Sequence, residues 1–235
     1  LLNIDCMEYM ATLPDKAFDL AICDAEYGIN VGNMAFLQEV NATVKQKNGT
    51  KLNGNKNKKP YAKKDWDIKP PEQKYFNELR RVSKEQIIFG VEYLNWTGFG
   101  DGRIKWDKGV AEGMSFKRYE VAYCSLIEEE VLLPLLWAGM CQAKSLSEPM
   151  VQQGNKKLNE KRIHPCHKPI MLYKKLLNDY ANIGDKILDT HGGSRSLAIA
   201  CHEMGFDHVS CEIDLDYHND SVKRFKEQTA QLKLL

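Results

Sequence analysis

Short continuous apolar runs alternate along this chain with longer segments in which apolar residues recur every three or four positions. The runs at 18–23 (FDLAIC), 87–91, 103–107 (RIKWD), 119–126 (YEVAYCSL), 186–188 and 209–213 (VSCEI) read as strands, several of them apolar enough to be buried on both faces. Helical spacing puts Tyr75, Phe76, Leu79 and Val82 on one face after Pro70 and Pro71, which suit a first turn. The same spacing puts Leu172, Tyr173, Leu176, Leu177 and Tyr180 on one face of a helix opened by Pro169. Further helices are expected over 5–13, over 195–204 with Gly205 at C′, and from Asp214 onward. Segments 41–64 and 140–165 lack periodicity and read as loops. Alternating strands and helices predict an α/β fold, a mostly parallel sheet with helices on both faces. The whole of 1–235 reads as one domain, with a Lys-rich loop at 41–65 and a small loop region at about 128–163.

The chain has 235 residues, 43% of them hydrophobic, enough for a sizeable core. The longest apolar run, 131–140, is ten residues with a proline inside, whereas a membrane span needs about 20. No secretory pattern is visible at the start, and no membrane partner is expected. Seven cysteines, odd in number and never spaced as CxxC, read as reduced intracellular thiols and not as a disulfide framework. The net charge is +1, yet segment 43–64 holds eight lysines and no acid, so the remainder is acidic.

Chemistry concentrates in two places. Residues 186–214 run strand, glycine turn, helix, strand, acid. Glycines at 192 and 193 let backbone approach a ligand, and the helix start offers unpaired N–H groups. Glu212, 19 residues after Gly193, can accept from both hydroxyls of a ribose. The unit is neither a GxGxxG fingerprint nor a P-loop, and a βαβ turn merely closed by glycines is an equal reading. The second place is Asp24-Ala25-Glu26-Tyr27, at the carboxyl end of FDLAIC. A carboxylate there can accept from a substrate amine and an aromatic can stack on a base. Taken alone, a strand cap followed by a packed Tyr is the more ordinary reading. His164, Cys166 and His167 lack a second pair with metal spacing, so they read as structural and no metal is expected.

Taken together, Asp5-Cys6, LPDKAFDLAICDAEYGIN at 13–30, WDKG at 106–109, HPCHKPIMLYKKLL at 164–177, KILDTHGGSRS at 186–196 and CEIDLDY at 211–217 resemble the S-adenosylmethionine-dependent DNA amino-methyltransferases. The catalytic motif comes first and the cofactor glycine motif last, which resembles the permuted order of the beta group of phage-borne and restriction-associated enzymes. The resemblance implies a Rossmann-like methyltransferase fold, S-adenosylmethionine as cofactor and DNA as partner. It also implies a cytoplasmic bacterial or phage-encoded protein, and it leaves a homodimer and a restriction-endonuclease partner open.

Position by position, the resemblance assigns Asp24, Ala25, Glu26 and Tyr27 to the catalytic D-P-P-Y motif. Asp24 would accept from the target amine and Tyr27 would stack on the flipped base. Asp5 and Cys6 would lie against the cofactor adenine. Asp24, Lys168 and Pro169 would face its methionine end. Asp189, His191, Gly192, Gly193, Ser194 and Ser196 would form its loop, and Glu212 would hold its ribose. The family's Asp version goes with adenine and its Ser version with cytosine, so Asp24 implies adenine.

Two departures matter. Ala25-Glu26 stands where the family has Pro-Pro, which stiffens the backbone there. Arg195 stands where a glycine is expected, and can either narrow the loop or point outward at the helix start. A catalytically impaired methylase fold that binds DNA is therefore the competing reading, and cytosine-N4 or RNA amino methylation shares the pocket logic. Lys45, Lys47, Lys51, Lys56, Lys58, Lys59, Lys63 and Lys64 are the candidate phosphate contacts.

Overall fold

The computed structural model describes residues 1–33, 44–45, 51–52, 64–113, 117–155, 157 and 159–230. Its elements in chain order are β1 (Leu2–Asn3), α1 (Cys6–Ala11), β2 (Phe18–Cys23), β3 (Val44–Lys45), β4 (Lys51–Leu52), α2 (Gln73–Val82), β5 (Ser83–Phe89), β6 (Arg103–Asp107), β7 (Tyr119–Cys124), β8 (Glu130–Pro134), β9 (Trp137–Ala138), β10 (Cys141–Gln142), α3 (Ile170–Tyr180), β11 (Lys186–Asp189), α4 (Ser196–Met204), β12 (Asp207–Glu212) and α5 (Leu215–Thr229). The chain divides into two compact units, residues 1–25 with 71–235, and residues 26–70.

The larger unit is built on an eight-stranded sheet ordered β1-β12-β11-β2-β5-β7-β6-β8. Pairing is parallel from β1 to β5; β7 then runs antiparallel to both β5 and β6, and β8 runs parallel to β6. Parallel register aligns Leu188 with Ala21 and Asp189 with Ser210, so the carboxyl ends of β2, β11 and β12 share one edge. The reversed direction of β7 brings its first residues, Tyr119 and Glu120, to that edge opposite Asp107 and Trp106.

Both faces are covered, as the sequence predicts. On one, Ala21, Cys23, Ile88 and Leu188 pack with Tyr75, Phe76, Leu79 and Val82 of α2 and with Met10 of α1. On the other, the Phe89 ring meets Tyr173 of α3 edge-on. The six-residue α1 is too short to stand alone. Asp5 caps its start by accepting from Met7 N–H at 2.7 Å, and Arg81 of α2 donates to the carbonyls of Met10 and Leu13 at its end.

Several expectations shift. Pro70 and Pro71 precede the N-cap Glu72 instead of forming the first turn. The strand at 87–91 stops at Phe89, because Gly90 takes φ +74° and a short 3-10 turn follows. β8 falls on an exposed edge, where Pro134 costs no ladder bond on its outer side. Region 140–165 contains β10, paired with β9, and region 41–64 contains the antiparallel pair β3–β4, with Lys45 opposite Lys51. The rest of 41–63 lies outside the described residues.

Candidate active site

Asp24 directly follows β2 in the larger unit. Its Oδ1 lies 2.5 Å from Lys168 Nζ, and that ammonium is 2.8 Å from Glu120 Oε1. The second Glu120 oxygen faces Lys108 Nζ at 3.5 Å. Burial alone would lower the Lys168 pKa; the charges of Asp24 and Glu120 outweigh it and hold the ammonium above its ordinary value. Tyr173 is pushed well above the usual phenol range by burial and by the charges of Asp24, Asp189 and Glu120. It is therefore neutral at physiological pH.

The turn after β11 is folded onto β12. Gly193 N–H donates to Glu212 Oε2 at 2.7 Å, and Asp214 N–H donates to Oε1 at 2.9 Å. Gly192 N–H donates to the Cys211 carbonyl, and Arg195 N–H closes the turn on the Gly192 carbonyl. Arg195 takes φ +59° and is fully buried, so its side chain points inward. Its guanidinium donates to Ser210 Oγ and to the Leu2 carbonyl, and Ser210 Oγ donates to Asp189 at 2.7 Å. Burial lowers the Arg195 pKa, opposed by Asp189 and Glu212. Gly192 lies directly on this side chain: a Cβ there would collide with Arg195 Nη1. The inward alternative is thus the one adopted, and the arginine fills the floor of the loop.

A second brace comes from groups the sequence reading did not single out. Arg224 of α5 donates to the Ser194 carbonyl at 2.5 Å and to Glu160 at 2.9 Å. Glu160 also accepts from Ile170 N–H at the start of α3, and lies 3.3 Å from His167 Nε2. His167 stacks on Trp137, and its Nδ1 is buried with no hydrogen-bond partner among the described residues. Burial pushes its pKa down, against the Glu160 bond, so the ring is neutral at pH 7. His164 packs edge-on against Tyr217, beside Gly193. Among the described residues no group of three or more His, Cys, Asp or Glu is arranged to hold a metal ion.

The smaller unit holds Glu26 and Tyr27. Asp67 organises it from 40 positions away in the chain. One carboxylate oxygen accepts from Tyr27 N–H and Gly28 N–H at 2.8 and 2.9 Å, and the other accepts from Val31 N–H at 2.8 Å. Asp67 is only 2% exposed, and three donors satisfy its charge. Gly28 takes φ +71°, and a Cβ there would lie 2.5 Å from Pro70 Cδ.

The structure thus brings Asp24 and Lys168 together, and Asp189, Gly192, Gly193, Ser194, Ser196 and Glu212 together. His191 N–H donates to Asp189, while Asp5 and Cys6 begin α1, just after β1, which pairs with β12. Of the candidate DNA-contacting lysines, Lys45, Lys51 and Lys64 are described, and Lys47, Lys56, Lys58, Lys59 and Lys63 lie outside the described residues. Among the described residues the cysteines form no disulfide, and no helix is long and apolar enough to cross a membrane.

Comparison with solved structures shows the same fold. The M1.HpyAVI–SAM complex covers 95% of this chain and 98% of its own at 15% identity and a TM-score of 0.52. The cytosine-N4-specific PvuII DNA methyltransferase covers 97% and 90% at 12% identity and a TM-score of 0.51. No curated protein matches the chain. The profile of the DNA methylase family of N6 and N4 amino-methyltransferases matches residues 29–223, most of the sequence. This chain belongs to that DNA methylase family.

Proposed function

We propose that this protein methylates the exocyclic amino group of adenine in DNA, with S-adenosylmethionine as the methyl donor. The observation that carries the reading is a carboxylate, Asp24, at the end of β2, on the edge that also carries Glu212 and the glycine turn of β11. The residues present fit the cofactor. Glu212 and Gly193 are both partly exposed, supplying an acceptor and a close backbone at a strand end. Asp189, Gly192, Gly193, Ser194, Ser196 and Glu212 would hold its nucleoside with Asp5 and Cys6. His191 lies within this set in the chain, and Pro169 is the N-cap of α3.

An exocyclic amine is a poor nucleophile because its lone pair is conjugated with the ring. Asp24 accepts one of its hydrogens, which draws the nitrogen towards tetrahedral geometry and frees the lone pair. When bound, S-adenosylmethionine would supply an electrophilic methyl group to that nitrogen, its sulfur–methyl bond breaking to leave the neutral thioether. Asp24 then takes up the proton the nitrogen gives away and passes it to water. Tyr27 stacks on the extruded base, with Ala25 and Glu26 connecting it to the acceptor. Asp67 supports an active enzyme over an impaired fold: its three backbone hydrogen bonds brace the segment that lacks the family's two prolines. The lysines of 45–64 neutralise DNA phosphates.

Digestion of methylated DNA to nucleosides tests the substrate. The expected product is N6-methyladenine. N4-methylcytosine would overturn the adenine assignment, and no methylated nucleoside from DNA of any sequence would overturn the activity. Replacing the eight lysines should weaken DNA binding and flatten its salt dependence, by about 0.9 in log–log slope for each phosphate no longer neutralised.

A further inference from the structure

Lys168 stands between carboxylates delivered by two different strands. Its side chain is 4% exposed, and its ammonium meets Asp24 after β2 and Glu120 on β7. The Phe89 ring of β5 closes it from another side, 4.6 Å from Nζ to the ring centroid. Lys108, just after β6, balances Glu120 in turn. Two cations and two anions therefore sit in one partly buried row that ends at the acceptor carboxylate. The resemblance placed Lys168 on the cofactor, but the ammonium is directed at Asp24.

We propose that Lys168 and Glu120 are a positioning pair for methyl transfer, which fixes the plane of the Asp24 carboxylate and keeps it an anion while the target amine docks. The inference rests on the reading of Asp24 as the amine acceptor. A lone aspartate turns broadly about its last side-chain torsion. An ammonium held at Oδ1 sets that torsion, and with it the direction in which Oδ2 accepts. An ammonium serving Asp24 alone would also draw off its charge and compete with the amine. Glu120 shares the ammonium, so Asp24 keeps its strength as an acceptor. Tyr173 on α3 feels the charges of Asp24, Glu120 and Asp189. Its phenol stays neutral, while Lys168 and Glu120 carry charge in the row that reaches Asp24.

The test is a carbon-13 titration of the Asp24 carboxyl in the full chain, assigned with Asp24→Asn, together with kcat against pH and the Kd for S-adenosylmethionine. In Lys168→Met the Asp24 titration should move up by about one unit or more. The acid limb of kcat should move with it, and kcat should fall about 100-fold. The cofactor Kd should stay within about threefold. Lys168→Arg should restore part of kcat, and Glu120→Gln should move the Asp24 titration down. A stationary Asp24 titration in Lys168→Met would overturn the proposal. So would a cofactor affinity lowered about tenfold with the titration unmoved, which would make Lys168 a cofactor ligand. If Lys168→Met does not fold, Glu120→Gln decides by the same titration. A titration that moves in a protein that methylates no DNA would retire the methylation reading and keep only the coupling of Lys168 and Glu120 to Asp24. Methylation with a stationary titration would do the reverse.

Discussion

Two segments of this protein depart from the family's motif, and a buried charge braces each. In the segment after Asp24 the family's prolines are replaced by Ala25-Glu26, and a carboxylate, Asp67, gathers the N–H groups of Tyr27, Gly28 and Val31. In the glycine turn an expected glycine is replaced by Arg195, and a guanidinium gathers oxygens of Ser210 and Leu2. The signs are opposite because the groups to be satisfied are opposite: N–H donors within one loop, and oxygens of β1 and β12 beneath the other. The two also differ in cost. Asp67 is served by fixed backbone dipoles, whereas Arg195 needs a second buried charge, Asp189, reached through Ser210. The glycine turn is therefore the more fragile of the two.

Arg195→Met tests that ranking most severely. It leaves Asp189 buried without its opposite charge and should lower unfolding stability by about 3–5 kcal/mol, read from the urea midpoint. Adding Asp189→Asn should recover a large part; failure to recover would show that the arginine acts by filling space alone. Asp67→Ala strands three backbone donors and should lower stability less, by about 2 kcal/mol. It should also reduce kcat about tenfold or more while cofactor binding holds, because the disturbed segment carries Tyr27. Gly192→Ala should lose about 1–3 kcal/mol, since the added methyl meets the Arg195 guanidinium and Ser210. In an Arg195→Ala background that loss should shrink, and a double-mutant cycle measures the coupling.

The smallest effect concerns pH. His167, beside the glycine turn, has a folded pKa below the ordinary 6.5. Between those two values the unfolded chain holds a proton that the native ring refuses. Its contribution is complete above pH 6.5 and declines as pH falls towards the folded pKa, by about 1.4 kcal/mol per unit at most. Wild type and His167→Asn should therefore converge in stability on acidification through that window, as thermal unfolding across pH 5–7 can show.

Much of this was legible in the sequence. Strands buried on both faces, such as β2 and β5, write themselves as continuous apolar runs, and α2 and α3 show their buried stripes at helical spacing. β8 was hidden because an edge strand keeps Val131 and Leu132 exposed and tolerates Pro134. The motif residues Asp24 and Glu212 were visible because their spacing to neighbouring turns is local. Asp67, Glu120, Glu160 and Arg224 were not, because each acts on residues far away in the chain; Glu160 and Arg224 are 64 positions apart. The direction of Arg195 was undecidable from sequence, since a left-handed residue at a helix start can send its side chain either way. The buried Ser210–Asp189 pair settles it.

The proposed reaction turns on Asp24 as the group that accepts the target amine. Transfer of a labelled methyl group from S-adenosylmethionine to DNA by the wild type and by Asp24→Ala, with cofactor affinity measured on both, tests this most directly. The expected result is a loss of transfer of about 1000-fold with cofactor affinity nearly unchanged. An Asp24→Ala variant that methylates DNA as fast as the wild type would contradict it.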